Sequence, residues 1–472
     1  MSTDVDDTTS WCEEELAGVE LGDARLDTRL IDTAIQLSGQ PLSSINQACD
    51  DWVDTKAAYR LFDNEKVTLD KILCPHQVRT RERMEARDLV LAIQDTTFLS
   101  YTHHPKTTGL GPIRGAAQNM FGLVMHTTLC MTPEGLPLGV LDQQIWARPE
   151  EKRTLTKAQE RNLPIEEKES YKWVQALERT IELAPPGIQV VSVCDREADV
   201  YELFVRAQEL HTGLLIRATQ NRVLMDDETE KVRSRVRSAP IAGHLKVHVP
   251  EKKGEPERDA VVSVRFCSVT LKAPWRPKLP DKDPLPAMPI DVILVQEVAP
   301  PPDVTPLNWL LLTNVPVHSF EDAVQRVKWY RCRWYIEVYF KVLKSGCKVE
   351  DCRLRTAQRL IRCLTLYTII AWRLFWTTYI NRCLPDAPCS VVLAEHEWQA
   401  LYATIHRTTV LPQQLPTVRQ AVRWIARLGG FLGRKRDGQP GVTVIWRGWQ
   451  RLNDISDTWL LFHQPTQATT CG

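Results

Sequence analysis

The chain lacks net charge: 59 Lys and Arg stand against 59 Asp and Glu in 472 residues. No global field therefore draws it to nucleic acid. Its 13 cysteines lack the paired spacing of a zinc site, with four residues between Cys347 and Cys352 and five between Cys383 and Cys389. Scattered thiols suit a reducing compartment. Met1 to Asp7 is acidic and polar, without the features of a secretory signal. These absences predict a cytoplasmic protein. An uninterrupted membrane-length apolar run is also missing. Cys363 to Ile380 comes nearest, but Arg373 interrupts it and Arg362 and Arg382 flank it. It reads as a buried amphipathic helix, and no membrane partner is expected.

What is present is ordinary for a globular chain, with 43% hydrophobic and 25% charged residues. The length predicts two or three domains. Charge is unevenly spread. Arg326 to Arg362 holds eleven Lys/Arg against three acids, and Arg419 to Arg451 holds eight against one. Such basic islands suit a DNA-binding enzyme, and equally two basic helices facing solvent.

Taken in order, Ser10 with Glu13 forms a capping box that predicts a helix start. Leu26, Leu30, Ala34 and Leu37 recur at helical spacing, and a further helix is predicted over Thr55 to Phe62. This helical region is expected to end near residue 75. Leu89 to Ile93 reads as a buried strand that ends toward Asp95. Phe121 to Cys130 and Leu136 to Leu141 read as its neighbours. Glu151 to Lys168 is charged and reads as a loop or helix, followed by a helix over Tyr171 to Leu183. Ile188 to Cys194 is a second buried strand, ending in Asp195. A lone Asp after a strand is usually a turn residue; two such strands are less easily dismissed. Asp199 reads as a cap. Residues 213 to 314 alternate like half-exposed strands, and ten of the 30 prolines fall between Pro274 and Pro306. Beyond about residue 385 the pattern is helical again, with Gly429-Gly430 as a stop and a last helix over Trp446 to Leu460. The tail from Gln464 is polar and expected to be disordered.

The densest stretch is Trp329 to Lys344, WYRCRWYIEVYFKVLK. A long helix starting at Ser319 or Asp322 would carry Tyr330, Arg333, Glu337 and Lys344 on one face. The plain alternative is a solvated ridge of ion pairs. With Asp95 and Asp195, Glu337 completes an acidic trio suited to hard divalent cations. Two such ions could activate a water or 3′-hydroxyl at a phosphodiester. His103-His104 is a rival metal site without matching acids.

With these residues in view, the chain resembles the DDE transposases of bacterial cut-and-paste insertion sequences, in the subgroup with the YREK signature. Tyr330-x2-Arg333-x3-Glu337-x6-Lys344 keeps that signature's spacing. ELGDARLDTRL and AAYR resemble the amino-terminal DNA-binding domain. QDTTFLSY, EKESYKW, CDREAD and WLLLTNVPV resemble catalytic-domain segments. IARLGGF, RKRDG and W-x-GW resemble the carboxy-terminal domain. The resemblance implies an α/β fold: a ribonuclease-H-like catalytic core, with a mixed sheet flanked by helices and a β-rich insertion at about 213–314, plus helical N- and C-terminal domains. The implied domains are 1–75 for transposon-end binding, 76–385 for catalysis and 386–472 for dimerisation. Asp95, Asp195 and Glu337 would hold two Mg²⁺ ions, with Mn²⁺ as a substitute. Tyr330, Arg333 and Lys344 would hold phosphates near the cut end. Trp309 falls where the family stacks a flipped base, though packing at a strand start explains it as well. Arg217 would contact DNA from the insertion, and Arg29 and Arg60 would contact the transposon end. Partners would be double-stranded transposon-end and target DNA, with a homodimer in the paired-end complex. Two departures, Gly39-Gln40 and Thr219, bear on end specificity rather than catalysis. The alternatives are a catalytically inactive or inhibitory DNA-binding protein derived from a transposase, and a nuclease that cuts without joining.

Overall fold

The computed structural model describes residues 10–113, 120–149, 163–249, 257–274 and 284–463. Most of the charged stretch 151–168, as far as residue 162, and the tail from Gln464 lie outside the described residues.

The chain opens with helices α1 (Trp11–Glu15), α2 (Ala24–Gly39), α3 (Ile45–Ala48), α4 (Trp52–Asp63) and α5 (Leu69–Glu85). The Ser10–Glu13 capping box is formed, Ser10 N donating to Glu13 Oε2 at 2.6 Å and Glu13 N to Ser10 Oγ at 3.3 Å. Leu26, Leu30, Ala34 and Leu37 face inward, as their spacing requires. The region does not stop near residue 75, because α5 runs on to Glu85. It continues into the central domain through a buried network. Glu15 accepts from both guanidinium amines of Arg83, at 2.9 and 2.8 Å, and from the His76 ring at 2.5 Å.

The next elements are β1 (Leu89–Ser100), β2 (Gly111–Pro112), β3 (Phe121–Met131), β4 (Pro137–Trp146), α6 (Tyr171–Leu183), β5 (Gln189–Cys194), α7 (Tyr201–Glu209), β6 (Gly213–Arg217), α8 (Val232–Ser238), β7 (Gly243–Val249), β8 (Arg258–Leu271), β9 (Met288–Glu297) and β10 (Asn308–Thr313). They form one ten-stranded mixed sheet, in the order β2-β3-β1-β5-β6-β10-β9-β8-β7, with β4 on β3. β5 lies parallel to β1 and β6 parallel to β5, while the other neighbouring strands pair antiparallel. The residues read as an insertion therefore extend the central sheet. One face, carrying Leu91, Ile93, Val191 and Leu311, joins the core with the N- and C-terminal helices. The other, carrying Cys194, Leu214, Ile216 and Leu312, is covered by α6 and α7. A fully buried Leu or Ile contributes roughly 1.5–3 kcal/mol, so both faces are well secured.

Two expectations are corrected. The first strand does not end at Asp95; antiparallel pairing with β3 carries it from Leu91↔Met131 to Ser100↔Gly122. Thr96, Thr97 and Phe98 are strand formers, and β3 satisfies their backbone. The long helix from Ser319 is also not continuous. Ser319 caps α9 (Phe320–Cys332); α10 (Trp334–Lys341) follows, and Val342–Gly346 is a π turn. At the break, Arg333 N bonds to Tyr330 O and Ile336 N to Arg333 O. Both bonds span three residues, which tightens the chain there.

The C-terminal helices are α11 (Ala357–Cys383), α12 (Glu395–His406), α13 (Val418–Leu428) and α14 (Val442–His463). α11 is long and apolar enough to cross a membrane, but 83% of its most apolar window is buried inside the protein. Arg359 Nε donates to Asp63 at 2.6 Å, and Arg362 donates to the carbonyls of Val67 and Phe62. Part of the basic island at 326–362 is thus spent on joining α11 to α4.

Candidate active site

The site begins with register. β1 and β5 run parallel with Gln94 beside Cys194, so Asp95 is the next residue on β1 and Asp195 is the first residue past the end of β5. Neighbouring strands lie about 4.8 Å apart. Asp195 leaves the sheet and caps a short turn, accepting from Glu197 N at 2.8 Å. Asp95 accepts from its own Thr96 N at 2.7 Å. Glu337 arrives from α10, tied to Asp95 by Arg333. Arg333 Nη1 donates to Asp95 Oδ2 at 3.1 Å, and its Nη2 donates to Glu337 Oε1. One guanidinium therefore bridges a carboxylate from the sheet and one from the helix.

Burial pushes the Asp95 carboxyl up to about 7; Arg333 pulls it down, while Asp195 and Glu337 push it further up. The carboxylates are close enough to repel one another. Carboxylate oxygens are the donors that suit a hard divalent cation. Among the described residues, no group of three His, Cys, Asp or Glu is already gathered at metal-binding distance. Arg333 lies between two members of the trio. Of the rival pair His103-His104, His104 packs edge-on against Tyr101.

Tyr330 is buried and packs edge-on against Trp309, with ring centroids 5.5 Å apart. Burial raises its hydroxyl, and Arg217 reaches that hydroxyl from β6. Arg217 also donates to the Asn308 carbonyl at 3.2 Å. Trp309 is half-buried here, so the packing role is the one seen. Lys344 leaves the π turn and donates to the Phe98 carbonyl at 2.6 Å, three residues past Asp95. The structure thus gathers Asp95, Asp195, Glu337, Arg333, Tyr330, Arg217 and Trp309, with Lys344 beside the same strand. Arg29 and Arg60 do not join them: they lie on α2 and α4, where Arg60 is exposed and Arg29 lines a small groove with Arg25 and Asp32. Asp199 is committed elsewhere, accepting from Thr219 N, Gln220 N and Arg222.

Sequence reading missed two supports. Glu350 accepts from Ser100 N at 2.7 Å and so fixes the far end of β1. Buried Lys172 lies 3.7 Å from Glu169 and 3.5 Å from Glu197, beside the Asp195 turn. Glu169 in turn pairs with Arg148, whose guanidinium covers the Phe98 ring at 4.7 Å. This chain of ion pairs links the two acid-bearing strands. EKESYKW holds two of its members, but pairs across distant segments leave no periodic signal.

Both ends of the chain match known families. Residues 8–67 match the family described as transposase DNA-binding, and residues 369–458 match the Tn5 transposase dimerisation domain.

Proposed function

The chain belongs with the Tn5-like transposases, binding DNA through its N-terminal part and dimerising through its C-terminal part, and on that premise we propose that the domain between them cuts and joins DNA at Asp95, Asp195 and Glu337. The observation that carries this is the bridge that Arg333 makes between Asp95 on the sheet and Glu337 on the helix, with Asp195 just past the end of the strand beside Asp95. In this reading the N-terminal helices, as far as the end of α5 at Glu85, bind transposon ends, the residues from there to 385 are catalytic and 386–472 pair two copies.

Asp95, Asp195 and Glu337 would hold two Mg²⁺ ions, with Mn²⁺ able to substitute. Bound there, the metal supplies Lewis acidity and makes water or a 3′-hydroxyl nucleophilic at neutral pH. The chain's own groups do the rest. Arg333 and Lys344 bind phosphate oxygens beside the cut, where guanidinium geometry suits a bidentate grip. Tyr330 and Arg217 orient the strand, and Trp309 offers a ring for an unstacked base. Hydrolysis frees a 3′-hydroxyl at the transposon end. That hydroxyl attacks the opposite strand to leave a hairpin, the hairpin is reopened, and the 3′ end joins target DNA. Arg29 and Arg60 grip the end sequence from α2 and α4. We place the protein on DNA in the bacterial cytoplasm.

A purely DNA-binding or inhibitory role gains no support from a site that keeps all three carboxylates. The test is to incubate the protein with duplex carrying the element's terminal repeat and Mg²⁺, then run a denaturing gel. Hairpin-ended products are expected. Specific binding with no strand cleavage, in Mg²⁺ or Mn²⁺, would contradict the proposal.

A further inference from the structure

Arg333 has two claims on it. As a phosphate-binding cation it should face DNA. In the DNA-free protein it donates instead to Asp95 Oδ2 and to Glu337 Oε1. Its side chain is 17% exposed and that of Asp95 16%, so the pair is largely withdrawn from water and strongly committed. Lys344 behaves the same way, its ammonium held by the Phe98 carbonyl at 2.6 Å. Both cations are spent on β1, the strand that carries Asp95.

We propose that Arg333 closes the carboxylate site to metal until a DNA phosphate draws the guanidinium away, so that metal and transposon-end DNA bind cooperatively. This rests on the reading that the three carboxylates hold the metal. A guanidinium and a divalent cation compete for the same carboxylate oxygens and repel each other at contact distance. Metal binding to the free protein must therefore break the bridge and strand a buried arginine charge. DNA binding must also break it, and strands carboxylates that repel one another. Each ligand removes the cost that the other would meet alone. By linkage the coupling is reciprocal, and effects of this kind are typically on the order of tenfold or more. Arg333 is thus a positioning residue for the metal as well as a phosphate ligand.

The test is Mn²⁺ binding, read from the loss of the free-ion paramagnetic resonance signal. Full-length protein is titrated alone and with terminal-repeat duplex, with Asp95→Asn plus duplex as the blank for ions held by DNA. The wild type should bind Mn²⁺ weakly alone and about tenfold more tightly with duplex. Arg333→Gln should bind tightly without duplex and lose the dependence on it. Arg333→Lys, which keeps the charge but not the two-pronged bridge, should fall between them. Wild-type affinity that is the same with and without duplex would overturn the proposal, and so would a folded Arg333→Gln that binds no more tightly than wild type. If Arg333→Gln does not fold, the wild-type comparison decides alone. If the wild type binds no Mn²⁺ above the blank even with duplex, it is the carboxylate metal site itself that fails.

Discussion

Glu15 shows what single residues contribute away from the active site. The carboxylate is buried, and burial alone would raise it; His76 and Arg83 more than offset that and hold it at about 2, below the ordinary 4.5. His76 Nε2 accepts from Val140 N at 2.9 Å, so its other nitrogen carries the proton donated to Glu15. Burial lowers the His76 ring. Both groups are lowered on folding, so their stabilisation is present at neutral pH and lost on acidification. The Glu15 part is full above about pH 4.5 and is lost as pH falls toward 2. A shift of that size corresponds to about 3 kcal/mol. Glu15→Gln should therefore lower unfolding stability by about that amount at pH 7, and by clearly less at pH 3.5, in urea melts at both values. An equal loss at both pH values would contradict the assignment. None of this was legible in the sequence, because Glu15, His76 and Arg83 share no local pattern. That Asp95 and Asp195 would lie side by side was legible, because each follows a buried apolar run and the two strands pair; Glu337 was tied to them only by the resemblance.

Elements were read well where periodicity ran unbroken. The helix expected over Tyr171 to Leu183 has those bounds in the structure. Period failed where tertiary contact took over. β1 extends past Asp95 because β3 pairs with it, and the signature helix breaks at Arg333, where the guanidinium turns toward β1. The C-terminal motifs acquire a physical reason. A Cβ on Gly429 would meet the Val444 carbonyl oxygen at 1.8 Å, and one on Gly448 would meet that of Ile425 at 1.8 Å. IARLGGF and W-x-GW are therefore the two sides of one close crossing of α13 and α14. Gly448→Ala should force these helices apart and cost at least about 2 kcal/mol. Because this crossing lies within the match to the dimerisation domain, sedimentation should show a weakened dimer along with a lower melting temperature. An unchanged melt and dimer would show that the crossing can relax.

At the scale of the whole molecule, the sequence suggested a core with a β-rich insertion at about 213–314, and in the structure those strands continue the central sheet. β10 returns to pair with β6, Leu311 beside Arg217, and β9, β8 and β7 follow. Proline content marked irregular connections but carried no information about which strand they led to. Deleting residues 218–307 would remove β7, β8 and β9 and bare the edge of β10, and exposed edges pair with other chains. Such a deletion should yield aggregated protein on gel filtration; a soluble monomer would mean that the extension is a separate module. The central claim concerns the three carboxylates as one metal-dependent centre for phosphodiester chemistry. The most direct measurement compares wild type with Asp95→Asn, Asp195→Asn and Glu337→Gln on terminal-repeat duplex, following Mg²⁺-dependent strand cleavage and band-shift binding in parallel. The account predicts that each variant binds the duplex as wild type does and loses at least about a thousandfold in cleavage rate, equivalent to roughly 4 kcal/mol of barrier. A variant that still cleaves within tenfold of wild type would contradict it.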